Sequence, residues 1–153
     1  FGFNLPLGPT FFVTVGYSDV SGKAQIGKAK PAAGVNNADV TLHASDPTGY
    51  YIAPSISIFD NSAVYFKFGQ QSADLKAIGD VVGSPNNIDG DLWAIGTTSM
   101  ASNGLFFKTE AGAVQWDNFK ITGIGGTGTN TTDNIVEGDP FVGYGHVSIG
   151  YKF

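Results

Sequence analysis

The C-terminal stretch Phe-Val-Gly-Tyr-Gly-His-Val-Ser-Ile-Gly-Tyr-Lys-Phe, Phe141 to Phe153, alternates in character at every second residue. Side chains on a β-strand point alternately to its two faces. One face therefore carries Val147, Ile149, Tyr151 and Phe153, and the other carries small or polar side chains. This pattern is typical of a strand with lipid on one side, a polar interior on the other and aromatic side chains at the membrane interfaces.

Composition agrees with a β protein of one domain, residues 1–153. Charged residues make up only 14% of the chain, while Gly (22 residues) and aromatics (13%) are abundant, which favours strands with turn-rich connections over helices. No apolar run approaches the ~18 residues that a membrane-spanning helix needs. A net charge of −5 without any Arg makes nucleic acid an unsuitable partner. The chain has no cysteine, so disulfides and thiolate metal sites are excluded.

The same alternation recurs along the chain. Within the segment from Asp39 to Phe59 it is interrupted at Asp46-Pro47-Thr48-Gly49, which indicates a bulge or kink rather than the end of the strand. The outward, lipid-facing set is predicted to comprise Phe11, Val13, Val15, Ile56, Ile58, Val64, Phe66, Phe68, Leu105, Phe107, Val147, Ile149, Tyr151 and Phe153.

Turn lengths also alternate. Short turns are predicted at Pro6–Pro9, Asp60–Asn61 and Ser102–Gly104, the last because Asn-Gly readily takes the positive φ of a type I′ turn. Long loops are predicted at 29–38, 72–90 and 125–139. Bacterial outer-membrane barrels have short periplasmic turns and long extracellular loops.

About six strands are predicted, plus a stub at residues 1–7. Because such barrels have even strand numbers, we expect eight strands in the intact protein, with roughly 30 residues missing before Phe1.

These features resemble a known family. The terminal Gly-Tyr-Lys-Phe, together with Gly49 to Gly69, Leu92 to Gly96 and Gly104 to Glu110, is similar to the small porin-like barrels of the opacity and outer-membrane-protein-A type. The resemblance implies an all-β, antiparallel up-and-down transmembrane β-barrel in the bacterial outer membrane, with outer-membrane lipid as its surroundings. It also implies that Phe153, with Tyr151 and Ile149, is read by the barrel-assembly machinery. The implied role is structural or interactive: membrane integrity, contacts made by loops, or packing with copies of itself in an oligomer or array.

The inward-facing side chains are predicted to form a polar network. An eight-stranded barrel is narrow enough for side chains to fill it, and charges buried there must pair. Glu110 is expected to form salt bridges with Lys67 or Lys108. No catalytic centre, cofactor or metal is predicted, and the principal alternative is a small passive channel. The predicted network consists of Lys67, Lys108, Glu110, Lys152, His43 and His146.

Two further alternatives remain open. His146 and Ser148 lie two residues apart on one strand, as do the His and Ser of outer-membrane lipid A deacylases, which attack an acyl ester. In those enzymes an Asn follows the Ser and the pair faces lipid, whereas here Ile149 follows and the pair is predicted to face inward. Polar residues lining the interior are therefore the favoured interpretation, over a lipid-modifying enzyme. A soluble β-sandwich that binds a ligand is the last alternative.

Overall fold

The computed structural model describes residues 1–29, 40–79, 86–122 and 135–151. Every regular element in these ranges is a β-strand, and none of them contains a helix long and apolar enough to cross a membrane. The strands are β1 (Gly2–Pro6), β2 (Phe11–Asp19), β3 (Lys23–Ala29), β4 (Val40–Phe59), β5 (Ser62–Ile78), β6 (Asn87–Met100), β7 (Leu105–Trp116), β8 (Phe119–Thr122), β9 (Ile135–Gly138) and β10 (Phe141–Tyr151).

The strands form one large antiparallel sheet of eight strands, in the order β1-β2-β4-β5-β6-β7-β10, with β3 also paired to β4. Strands β8 and β9 form a separate hairpin. The prediction of an all-β antiparallel fold is confirmed. No closed barrel is detected within the described ranges, where β1 pairs only with β2 and β10 only with β7. Because each neighbouring pair is antiparallel, β1 and β10 run in the same direction.

The predicted bulge in β4 is present and changes which residues share a face. The pairing of β4 with β5 shifts between Ser45 and Thr48, and Asp46 has a φ of 50°. Asp46 is held by Gly22, whose backbone N–H donates to Asp46 Oδ1 at 3.1 Å and whose carbonyl accepts from the Asp46 N–H at 2.8 Å. The extra residue moves Leu42 onto the face that carries Tyr51.

The sheet has two chemically different faces. The inner face is defined by Tyr65, Lys67 and Glu110, which are buried, and the outer face by the residues that alternate with them. Gly2 of β1 and Tyr151 of β10, on the two edge strands of the sheet, border the same cavity. The sheet therefore curls far enough for its first and last strands to reach one common cavity.

The inner face of the sheet is apolar at the end opposite the short turns. Here β5 and β6 continue beyond the predicted strands, so the predicted loop at 72–90 is wrong for 72–78 and 87–90. These segments pair as strands because their inward side chains are then buried together in an apolar cluster. The predicted loop at 125–139 is likewise wrong for 135–138, which form β9. Ala29 belongs to β3, whereas Gly79, Asn86 and Asp139 lie outside the strands as predicted. The rest of the three predicted loops, at 30–38, 80–85 and 125–134, lies outside the described residues. The cluster contains Val40, Leu42, Ala44, Ala73, Leu75, Ile88, Leu92, Val114, Trp116, Phe119 and Ile121.

The short turns at Asp60–Asn61 and Ser102–Gly104 are confirmed, but the second differs in type from the prediction. Gly104 has a φ of 88°, whereas Asn103 is not among the residues with positive φ. The Gly104 N–H donates to the Ala101 carbonyl at 3.0 Å, and the Leu105 N–H donates to Asn103 Oδ1 at 3.1 Å. A turn with a single left-handed glycine at its end fits a three-residue hairpin loop with a bulge rather than type I′.

Candidate functional site

The outer face carries a broad surface of exposed apolar side chains, which we call the apolar belt. Val147 is 62% exposed and Ile149 is 70% exposed. Of the residues predicted to face lipid, Val13 and Val64 are half-buried and Phe153 lies outside the described residues. The belt comprises Phe11, Val15, Ile52, Ile56, Ile58, Phe66, Phe68, Trp93, Ile95, Leu105, Phe107, Val147, Ile149 and Tyr151, all of them exposed.

Aromatic side chains mark one edge of the belt, where the outer face turns polar. The rings of Tyr17 and Tyr50 lie 5.2 Å apart, and those of Trp93 and Phe141 lie 6.1 Å apart. Beyond this edge β4 to β7 carry polar outward residues, such as Asp91. An aromatic border between apolar and polar surface matches the interfacial girdle of a transmembrane barrel.

The inner face holds a charged cluster at the level of the belt, built around Glu110 of β7. Glu110 is 6% exposed, and its Oε1 accepts from Lys67 Nζ at 3.0 Å and from the Tyr144 hydroxyl at 2.8 Å. Its Oε2 accepts from the Tyr65 hydroxyl at 2.8 Å and lies 3.8 Å from Lys108 Nζ. Both ion pairs expected for Glu110 are present, and we call these five residues the Glu110 cluster.

Aromatic rings on the inner face lie flat across glycines of neighbouring strands. A Cβ placed on Gly96 would overlap the hydroxyl end of Tyr65, and one on Gly150 would overlap the ring of Phe106. Glycine at these positions lets each ring lie against the backbone of the next strand, as occurs where an aromatic covers a strand glycine. At Gly96 this arrangement directs the Tyr65 hydroxyl to Glu110, two strands away.

The other predicted network residues are not part of the Glu110 cluster. The extra residue in the β4 bulge changes which residues of the strand point inward, so Leu42 points inward and His43 lies on the outer face. The Nδ1 atom of His43 is buried and has no hydrogen-bond partner in the described part of the chain. His146 is exposed on β10. Lys152 lies outside the described residues. The sequence did not identify Tyr65 and Tyr144 as hydrogen-bond partners of Glu110, because these contacts join strands that are distant in sequence.

The His146–Ser148 pair is in contact but is not arranged as a nucleophile and its base. The Ser148 hydroxyl lies 3.2 Å from Nε2 and 3.4 Å from Nδ1, so it approaches the ring side-on rather than along one nitrogen lone pair. A general base needs an aligned hydrogen bond with its nucleophile and a third group to orient it. The residue paired with His146 in the neighbouring strand is Glu110, whose carboxylate is bound to Lys67 and the tyrosines.

A cavity of about 610 Å³ lies on the inner face between the Glu110 cluster and the short turns. Lys108 and Tyr65 border it at the cluster, and Asp60 borders it at the turn. The apolar cluster covers the inner face on the opposite side of Glu110. The cavity therefore opens toward one end of the sheet.

Comparison with known proteins finds no matching family model, no similar curated protein and no similar solved structure. Within the ranges that the structure describes, no three His, Cys, Asp or Glu side chains are grouped so that they could hold a metal ion. The chemistry available at the Glu110 cluster is that of ion pairing and hydrogen bonding.

Proposed function

We propose that this protein is an integral β-barrel of the bacterial outer membrane, of the small porin-like kind, with a structural or surface-interaction role. The observation that carries the proposal is the apolar belt, which is exposed on the same strands whose inner face buries Lys67 and Glu110. Soluble proteins seldom expose so large a contiguous apolar surface, and seldom bury charged residues instead. Lipid around the sheet accounts for both features.

The dimensions of the belt fit a bilayer. From Tyr50 to Ile58 the outward residues of β4 span eight residue steps, roughly 26 Å along the strand at about 3.3 Å per residue. A strand tilt of about 40° reduces this to about 20 Å between backbone positions, and the side chains at both ends extend the apolar surface toward the ~25 Å band of outer-membrane barrels. The aromatic border at Trp93 and Phe141 lies at one limit of this band.

Strand direction supports closure into a barrel by one more strand. Strands in lipid need every backbone N–H and C=O paired, which an open sheet edge does not allow. The edges of β1 and β10 run in the same direction, so a single strand antiparallel to both would complete the ladder. Added to β1, β2, β4, β5, β6, β7 and β10, it gives the even number typical of these barrels.

The filling of the inner face supports a structural role. The Glu110 cluster lies at the level of the belt, and the apolar cluster covers the inner face beyond it. Small barrels are filled by their own side chains in this manner. Contacts with partners would then be made by the ends of the strands and their connections, or by the belt packing against copies of the same protein.

Mobility on a detergent gel tests the proposal. A folded outer-membrane barrel kept unheated in SDS should migrate differently from the boiled chain, and the folded band should disappear on heating. Identical mobility before and after boiling, with a sharp monomeric peak in detergent-free buffer, would favour the soluble sandwich instead. Conductance in planar bilayers separates the structural role from a passive channel: discrete steps would support the channel.

A further inference from the structure

The Glu110 cluster contains one more positive charge than negative charge. Lys67 donates to Glu110 at 3.0 Å and also lies 4.5 Å from the centroid of the Tyr51 ring. Lys108 Nζ lies 3.8 Å from Glu110 Oε2, beyond hydrogen-bond reach, and 4.7 Å from the Tyr65 ring centroid. Lys67 therefore has a hydrogen-bonded counter-ion, while Lys108 shares the same carboxylate at a longer distance.

In the described part of the chain the ammonium group of Lys108 has Glu110 as its ion-pair partner, at the long distance of 3.8 Å. The Glu110 oxygens already accept from Lys67, Tyr65 and Tyr144, all at 3.0 Å or less. An ammonium group has three N–H donors, and leaving a partly buried one without acceptors is unfavourable. The side chain of Lys108 is 30% exposed, and it borders the 610 Å³ cavity. The more weakly paired of the two lysines therefore faces an open volume.

The walls of this cavity suit an organic molecule with an acidic group. Phe106 and Tyr51 contribute aromatic surface to the lining, and Ser55 and Ser57 contribute hydroxyl groups. The Ser55 hydroxyl donates to the Ala53 carbonyl, so its oxygen remains free to accept a hydrogen bond. Asp60 is the acidic residue of the lining and lies at the far end, at the short turn.

We propose that this cavity binds a small organic monocarboxylate, with the carboxylate at Lys108 and the body of the molecule against Phe106 and Tyr51. A single negative charge matches the single excess positive charge of the Glu110 cluster, and a carboxylate can offer Lys108 acceptors at closer range than the shared Glu110. Such binding would take place on the inner face of the sheet and would be a function in addition to the structural role in the membrane.

Titration of the detergent-solubilised full chain with 4-fluorobenzoate, followed by fluorine NMR, tests the site. We expect a saturable change in chemical shift or line width. Lys108→Met removes the ammonium while keeping an unbranched chain, and it should weaken binding by about tenfold or more, as loss of a charged hydrogen bond does. The matched control is Lys120→Met, which removes a lysine whose ion pair with Glu137 lies at the surface, and it should leave binding unchanged.

A second variant distinguishes loss of the site from general damage. Glu110→Gln removes the carboxylate that competes for Lys108 and also leaves Lys67 without a counter-charge, so binding of 4-fluorobenzoate should tighten. Weaker binding by Glu110→Gln that still shows the heat-sensitive folded band on the detergent gel would contradict the proposal. Absence of saturable binding to the wild type, or equal binding by Lys108→Met, would overturn the proposal. Displacement by chloride at concentrations similar to those of the probe would show a general anion site and contradict the assignment to organic carboxylates.

Discussion

Replacing Glu110 by Gln tests the energetic role of the buried charge. The side chain keeps its size and one carbonyl oxygen, but Lys67, which is 8% exposed, loses its charged partner. Loss of the charge-assisted hydrogen bond at 3.0 Å costs about 1.5–3 kcal/mol. Leaving Lys67 buried without a counter-charge brings the expected loss in free energy of unfolding to about 3–5 kcal/mol.

Equilibrium unfolding in detergent micelles measures this loss. Urea or guanidinium titrations followed by tryptophan fluorescence report on Trp93 in the belt and Trp116 in the apolar cluster. The matched control is Glu137→Gln, the same substitution in an ion pair with Lys120 whose two side chains are each 54% exposed. Exposed pairs contribute only about 0–1 kcal/mol, so this variant should unfold almost like the wild type.

A double variant separates the effect of the unpaired charge from the effect of altered packing. Lys67→Met combined with Glu110→Gln removes both charges, and a buried ion pair replaced by neutral side chains is often close to neutral in stability. The double variant should therefore recover most of the loss seen in Glu110→Gln alone. If Glu110→Gln unfolds no more easily than Glu137→Gln, or if adding Lys67→Met gives no recovery, Glu110 does not stabilise the sheet through its charge.

Two further predictions concern the belt and the ring–glycine contacts. Val147 lies nearer the middle of the belt than Ile149, so Val147→Lys should lower the free energy of unfolding in lipid vesicles by about 2–4 kcal/mol. Ile149→Lys should lower it by less, because Ile149 lies nearer the edge of the belt. Equal losses for the two variants would contradict a bilayer around the belt. Gly96→Ala would force the Tyr65 ring away and should destabilise by about 1–3 kcal/mol, while Gly145→Ala, with open space at its Cβ, should be tolerated in the same unfolding assay.

Local sequence patterns predicted much of the fold. The alternation from Ala63 to Gln70 identified a strand and the face of each of its residues, and the Asp46 to Gly49 sequence identified the bulge. The same reasoning missed the continuation of β5 and β6 into 72–78 and 87–90, where the polar sequence around Asp89 and Asp91 suggested a loop. Those residues point outward at the polar end of the sheet, while Ile88 and Leu92, on either side of the pair, are buried. Their strand conformation depends on packing against the apolar cluster, which is not visible within the segment itself.

The direction of each side chain is a local property of a strand, so the sequence alone determined that apolar and polar residues would separate onto two faces. The partners of those side chains are set by strand order and register, which are not local. Glu110 of β7 meets Lys67 and Tyr65 of β5 across the intervening β6 because Gly96 leaves room for the Tyr65 ring. Likewise His43 faces outward only because one extra residue in the bulge shifts β4 against β5. The pairing of strands and the curl of the sheet therefore decided which charges meet, and where a cavity remains.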